Sequence, residues 1–292
     1  MNGLHTVTPL GLIGHPVEHS LSPAMHNAAF EQLGLPYRYL LLPTPPGQLG
    51  ERIKRCVEDG FAGWNVTVPH KKAMLAYLNE MSDEVRATGA CNTVRVEAGR
   101  LLGYNTDVAG FLRGLEEAGG ITPGSRAVLL GAGGAARAIA WALLQAGHDV
   151  VVLSRRTEQA GSLADALAVG VAASVRPGTL DAPSLAGALD GAGMLVNCTP
   201  IGMWPHDDAT PLPEGMRLPG GMLVYDLVYR PRPTRLLREA PLAGCRTQDG
   251  LSMLVHQGAA AFEKWTGRAA PVPTMRRVCL DALDQRKQVT QV

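Results

Sequence analysis

The chain has 292 residues, enough for two medium domains with buried cores, and its 27 Lys and Arg against 26 Asp and Glu leave a formal net charge of +1. Charges of both signs are interspersed, which excludes a basic nucleic-acid surface or an acidic tail and makes small molecules the expected partners. No apolar run approaches membrane-spanning length, no targeting segment is visible, and five scattered cysteines (Cys56, Cys91, Cys198, Cys245, Cys279) show no C-x-x-C, so a cytoplasmic protein without disulfide framework or zinc site is expected.

In chain order, residues 10–13 read as a strand running into a loop of turn residues. A helix follows, with Ser22 as N-cap and Pro23 at its first position, and its apolar stripe of Met25, Ala28, Ala29 and Leu33 stops at Gly34. Ser20 and Ser22 are either simple caps or donors to a carboxylate at that helix start. Residues 37–42 read as a strand, 48–57 as a helix and 61–68 as a third strand, an alternation that predicts a parallel sheet. Ligands bind beyond the carboxyl ends of such strands, where Thr67 and Lys71 lie. Lys71 and Lys72 are two cations in an expected first helical turn, the unfavourable end for positive charge, which hints that one serves a ligand. His70 reads as a packing residue. Asn92 and Asp107 sit beside short strand-like segments (94–96 and 101–102), and both fit ordinary turn or cap roles, Asp107 as N-cap of a helix over 108–115.

The middle of the chain is more specific. Val128, Leu129 and Leu130 form a buried-strand run, followed by Gly131, Ala132, Gly133, Gly134, Ala135 and Ala136, a G-x-G-x-x-A turn. The next helix carries Ile139, Leu143 and Leu144 on one face and ends at Gly147, before a second strand over 150–153. This βαβ unit predicts a dinucleotide with its pyrophosphate on the helix N-terminus. After the second strand stand Ser154, Arg155, Arg156 and Thr157, where an NAD site would place an acid; two guanidiniums suit a 2′-phosphate and predict NADP. Apolar runs at 171–175, 194–198 and 222–228 are expected to complete one sheet, with 199–204 and 229–233 facing the cofactor from strand ends. A helix over 252–265 is expected to return to the first domain, and residues 285–292 read as a frayed polar tail.

Seven ordered segments together resemble the shikimate dehydrogenase family: His19-Ser-Leu-Ser-Pro23, Asn65-Val-Thr-Val-Pro-His-Lys71, Gly89-Ala-Cys-Asn-Thr93, Asn105-Thr-Asp107, Gly131-Ala-Gly-Gly-Ala135, Asn197-Cys-Thr-Pro-Ile-Gly-Met203 and Asp249-Gly-Leu-Ser-Met-Leu-Val-His-Gln257. The resemblance implies two α/β domains with a cleft between them. These are a substrate domain over 1–107, a Rossmann-type doubly wound NADP domain over 108–250, and C-terminal helices over 251–292 returning to the first. It implies reversible NADP-dependent reduction of 3-dehydroshikimate to shikimate, a step toward chorismate and the aromatic amino acids, by a monomer or homodimer. Lys71 and Asp107 would be the catalytic pair. Ser20 and Ser22 would hold the carboxylate with Tyr229, while Thr67, Asn92, Asp107 and Gln257 bind hydroxyls. NADP would meet Gly131, Ala132, Gly133, Gly134, Ala135, Ser154, Arg155, Arg156, Thr157, Leu227, Gly250 and Asp83.

Ketone reduction creates an alkoxide-like oxygen, so an ammonium can stabilise the charge and donate a proton, and neutral lysine can remove it in reverse. Asp107 would orient that ammonium but also oppose its deprotonation. The family usually shows Asn-Arg-Thr where Ser154-Arg155-Arg156 stands, so which neighbour assists Arg155 is left open. Rivals are a quinate or aminoshikimate dehydrogenase on the same scaffold, against which Ser20 and Ser22 speak, and a noncatalytic NADP-binding regulator, against which the retention of Lys71 and Asp107 speaks. Scattered histidines, and no H-E-x-x-H or G-x-S-x-G, disfavour a metal or serine hydrolase.

Overall fold

A computed structural model describes residues 7–168 and 173–289 and divides the chain into two compact α/β units. Unit 1 is Met1–Thr106 with Val255–Val292; unit 2 is Asp107–Leu254. The expected boundaries stood at 107/108 and 250/251. No helix among the described residues is long and apolar enough to cross a membrane.

Unit 1 runs β1 (Thr8–Gly14), α1 (Ser22–Gln32), β2 (Tyr37–Pro43), α2 (Leu49–Glu58), β3 (Gly63–Val66), a 3-10 turn (Ala73–Tyr77), β4 (Glu80–Met81), α3 (Asp83–Thr88), β5 (Thr93–Glu97) and β6 (Arg100–Tyr104). Its sheet has the order β2-β1-β3-β5-β6-β4, with β1 parallel to both neighbours and β5 antiparallel to both of its own. This arrangement puts the carboxyl ends of β1, β3 and β6 and the start of β5 at one end of the sheet. Ile13, Trp64, Val66 and Val94 bury one face with Ile53 and Cys56 of α2. On the other side α1 carries Met25, Ala29 and Phe30 inward, and Phe30 stacks on Phe262 at 5.1 Å.

Unit 2 begins with α4 (Thr106–Glu117) and continues β7 (Arg126–Leu130), α5 (Gly134–Gln145), β8 (Asp149–Ser154), α6 (Thr157–Leu167), β9 (Val175–Thr179), α7 (Ala182–Leu189), β10 (Ala192–Asn197), β11 (Leu223–Asp226), α8 (Arg235–Glu239) and β12 (Arg246–Gln248). The strands are all parallel in the order β12-β11-β10-β7-β8-β9, the doubly wound order with its reversal between β7 and β10. Side chains alternate: Ala127 and Leu129 join one core with α4, α5 and α6, while Val128 and Leu130 join another with α7 and α8. Helix α9 (Gly250–Thr266) spans the second division of the chain, and α10 (Val272–Val289) packs on α1 in unit 1.

Several expectations need correction. The third strand is Gly63–Val66, shorter than 61–68. Of the run 171–175, residues 171 and 172 lie outside the described residues, and the ninth strand is β9, Val175–Thr179. Its exposed Arg-Pro-Gly composition hid it, and Pro177 is tolerated because β9 is an edge strand. β12, Arg-Thr-Gln on the opposite edge, was hidden for the same reason. The tail from 285 is helical through Val289 as the last turns of α10.

Candidate active site

In unit 1 the loop after β1 carries Ser20 and Ser22. The Ser22 N–H donates to Ser20 Oγ at 3.2 Å, and α1 starts at Ser22 with Leu21 as N-cap, so Ser22 is not the cap expected; Leu21 is already in the helical region of backbone space. Thr67 follows β3, its N–H donating to Ile13 O at 2.9 Å. Lys71 is half-buried, and its carbonyl accepts Cys91 N–H at 2.9 Å, joining this loop to the start of β5. Lys71 and Lys72 precede a five-residue 3-10 turn rather than occupying the first turn of an α-helix, so the helix-end argument for a ligand loses its basis. His70 is buried, with Nε2 2.6 Å from Thr44 O, which assigns that nitrogen its proton. Burial pushes the Cys91 thiol up to about 12, opposed by the Lys71 charge nearby.

Asn92 is the polar hub of this end of the sheet. Its Oδ1 accepts from Thr93 Oγ1 at 2.9 Å, Thr106 N at 2.8 Å and Thr106 Oγ1 at 3.1 Å. These bonds hold the first residue of α4, with Asp107 next in the chain. Asp107 is buried and lies inside the first turn of α4, not at its N-cap, because the helix already begins at Thr106. Gln257 is half-buried on α9, next to Gly258, where a β-carbon would overlap the Met25 methyl; α9 and α1 therefore approach closely there. Ser20, Ser22, Thr67, Lys71 and Asn92 thus share one end of the unit 1 sheet.

Unit 2 holds the expected cofactor residues. Gly131 follows β7 with φ +101°, its N–H donating to Leu153 O at 2.7 Å, and a β-carbon there would stand 3.0 Å from Thr199 Cγ2 in the loop after β10. Gly133 is the N-cap of α5 in extended backbone (φ −79°, ψ −172°), no side chain caps the helix, and nothing lies within 4 Å of where β-carbons on Gly133 or Gly134 would stand. Ala132 and Ala135 flank them, half-buried. This is an open cradle of backbone N–H groups that fits a pyrophosphate. Ser154 ends β8, its Oγ accepting Arg156 N–H at 3.4 Å; Arg155, Arg156 and Thr157 are exposed beyond it, and Thr157 Oγ1 meets Thr179 Oγ1 at 3.0 Å. The two guanidiniums therefore stand in solvent at a strand end, suited to a 2′-phosphate.

Leu227 and Gly250 come together: Gly250 N–H donates to Val228 O at 3.3 Å, and a β-carbon on Gly250 would overlap the Leu227 carbonyl. Tyr229 follows β11, half-buried. Behind these loops Asp226 is buried and accepts from Asn197 Nδ2 at 2.9 Å, Val228 N at 3.0 Å and Thr234 Oγ1 at 2.7 Å; burial raises its carboxyl despite these donors. Asp83 is exposed in the first turn of α3 in unit 1. Sequence reading assigned no role to Asn65, whose Oδ1 accepts Tyr39 Oη at 2.6 Å and whose Nδ2 donates to Asn92 O at 3.2 Å and Thr93 Oγ1 at 2.9 Å. An amide between Trp64 and Val66 in a buried strand was the signal available.

Known proteins are similar to this chain in sequence and fold. The family model for the shikimate dehydrogenase substrate binding domain matches residues 12–94, and that for the shikimate 5'-dehydrogenase C-terminal domain matches residues 250–280. Between them, residues 126–181 match the model described as NADP oxidoreductase coenzyme F420-dependent. The chain is 46% identical over 276 residues to a shikimate dehydrogenase (NADP(+)) of Methanopyrus kandleri, covering 94% of this chain and 95% of that one. It is 49% identical over 280 residues to that of Symbiobacterium thermophilum, covering 94% of each. A crystal structure of shikimate 5-dehydrogenase from Thermus thermophilus, in complex with NADP(H) and shikimate, superposes with a TM-score of 0.85 at 42% identity, covering 94% of this chain and 100% of that chain. With identity of this order sustained across both units, the chain belongs to the shikimate dehydrogenase family.

Proposed function

We infer that the protein catalyses the reversible NADP-dependent reduction of 3-dehydroshikimate to shikimate. The observation that carries this reading is the gathering of Ser20, Ser22, Thr67, Lys71 and Asn92 at one end of the unit 1 sheet, in a chain of this family. Ser20 Oγ already accepts the Ser22 N–H, so its own proton is left to point at a carboxylate. Thr67, Asn92 and Gln257 address ring hydroxyls. Lys71 holds the proton that reaches the C3 oxygen during reduction and takes it back during oxidation, while Asp107 orients the ammonium and a neighbouring hydroxyl. Tyr229 supports the carboxylate contact.

The N–H cradle of Gly131, Ala132, Gly133, Gly134 and Ala135 would hold the pyrophosphate of NADP; Arg155, with Ser154, Arg156 and Thr157, the 2′-phosphate; and Leu227 and Gly250 the nicotinamide half. Asp83 is kept as a cofactor contact on family resemblance alone. The bound cofactor supplies the hydride that moves to or from C3. Membership of this family and five unpaired thiols support a cytoplasmic enzyme, acting as a monomer or homodimer.

The test is absorbance at the reduced-nicotinamide band with shikimate or quinate, each with NADP or NAD. Reduction of NADP by shikimate far above the other pairs is expected; turnover of quinate alone, or none at all, would refute the reading. Lys71→Ala is expected to lower kcat by about 10²–10⁴-fold with NADPH affinity nearly intact.

A further inference from the structure

Resting on the reading that Leu227 and Gly250 meet the nicotinamide half of the cofactor, we propose that Asp226 is a positioning residue for that contact, acting with Asn197 to lock together the loops that leave β10 and β11. The two residues are the last of their strands, stand opposite each other in the parallel register, and are fully buried. Leu227 N–H still donates to Asn197 O at 3.1 Å, and beyond it the side chains take over. Asn197 Oδ1 accepts Thr199 N–H at 3.0 Å, and Asp226 Oδ1 accepts Val228 N–H at 3.0 Å. Each is a turn closed by the side chain on the amide two residues ahead, which bends the chain out of its strand.

The hydrogen-bond directions follow from the backbone. An amide N–H only donates, so Asn197 Oδ1 is the atom that faces Thr199, where it also accepts Thr199 Oγ1 at 2.7 Å. Its Nδ2 is thereby turned to Ile201 O at 3.2 Å and to Asp226 Oδ1 at 2.9 Å. Asp226 Oδ1 thus takes one donor from each loop, and Oδ2 takes the Thr234 hydroxyl at 2.7 Å. Thr234 caps α8, its Oγ1 accepting Leu237 N–H at 3.3 Å, so one carboxylate holds the loop over 227–233 at both ends. Val228 has its N–H on Asp226 and its carbonyl on Gly250 N–H at 3.3 Å, which fixes the peptide beside Leu227 and the backbone against which Gly250 packs. Farther out the two loops meet again. Trp204 N–H donates to Arg230 O at 3.0 Å, and the Arg230 guanidinium lies 4.3 Å from the centre of the Trp204 ring. Asp226 and Asn197 therefore act through the backbone of these loops rather than by touching the cofactor.

The experiment titrates NADP, and adenosine 2′,5′-bisphosphate as its adenosine half alone, into wild type, Asp226→Asn, Asp226→Ala, Asn197→Ala and Gly250→Ala by calorimetry, with Tm measured alongside. Asp226→Ala is expected to weaken NADP about tenfold, the scale of one hydrogen bond to a charged group, with the adenosine fragment bound as in wild type. Asp226→Asn is expected to keep NADP affinity within about twofold of wild type, because its Oδ1 retains both loop donors and its amide donates to Thr234 Oγ1. Asn197→Ala removes the bond between the loops from the other strand. It is expected to weaken NADP alone in the same way, and it carries the comparison should Asp226→Ala not fold. A merely structural role would lower Tm and either leave NADP affinity unchanged or weaken both ligands equally, and either result overturns the proposal. Gly250→Ala separates the two failures. If it weakens NADP while Asp226→Ala and Asn197→Ala do not, the proposal falls and the nicotinamide reading stands. If Gly250→Ala leaves NADP affinity unchanged, that reading falls and the proposal with it.

Discussion

Gly131 and Gly133 lie two residues apart in the same turn, yet alanine at the two positions should fail in different ways. At Gly131 the backbone has φ +101°, a region that side chains rarely adopt, and a β-carbon would stand 3.0 Å from Thr199 Cγ2. Strain of this kind costs about 1–3 kcal/mol. For a protein of this size, about 2 kcal/mol lowers Tm by about 4–8 °C. At Gly133 the backbone is ordinary extended chain with nothing within 4 Å, so the fold gives alanine no penalty, and a stiffer unfolded chain would even add about 0.4–1 kcal/mol. If the proposed cofactor site is right, what the methyl would meet there is an incoming pyrophosphate. Losing one hydrogen bond to a charged group costs about 1.5–3 kcal/mol, or about 10–100-fold in affinity. Calorimetric titration of NADP into Gly133→Ala, with Tm by scanning calorimetry, should therefore show weakened cofactor binding at unchanged or slightly raised Tm, with KM for shikimate unaffected. Gly133→Ala with wild-type NADP affinity would refute the cradle, and Gly131→Ala with wild-type Tm would refute the strain argument.

Three further outcomes follow from the same geometry. Gly250→Ala forces the start of α9 away from the Leu227 carbonyl, and since both partners are backbone it should lower Tm and raise KM for NADP together; retention of both values would show that the two segments move apart freely. Arg155→Asp should shift preference from NADP toward NAD, read as the ratio of kcat/KM values, and an unaltered ratio would remove Arg155 from the 2′-phosphate site. His26 is buried among Phe30, Tyr39 and Trp265 with neither ring nitrogen hydrogen-bonded, and burial lowers it from 6.5 to about 3. Below pH 6.5 the unfolded chain takes up a proton that the folded one refuses. This contribution to stability is thus complete above pH 6.5 and is lost as pH falls toward 3, by about 2–3 kcal/mol between pH 7 and 4.5. Urea unfolding at these two pH values should show a smaller loss in His26→Phe than in wild type, and equal losses would contradict the assignment.

What the chain alone determined is local. Runs such as Val128-Leu129-Leu130 and the glycines after them specify a strand, a turn and a helix within a dozen residues, because period, backbone freedom and end effects act over that range. Candidate site residues were legible because strand-to-loop junctions in an α/β alternation are where ligands bind, and because their motifs resemble a family. Tertiary structure decided the rest. Ser22 falls inside α1 because Leu21 is already helical, and Asp107 falls inside α4, which already begins at Thr106, where Asn92, fourteen residues earlier, holds the first residue. β9 and β12 form from polar segments because a completed neighbour offers them an edge, which no property of Val175–Thr179 or Arg246–Gln248 announces. The bond from Tyr39 to Asn65 joins residues twenty-six apart, and Trp265 Nε1 reaches Val94 O across one hundred and seventy-one. Such partners come together only after the sheet has formed. Local propensity therefore placed the elements, and long-range packing chose which polar atoms face one another at the site.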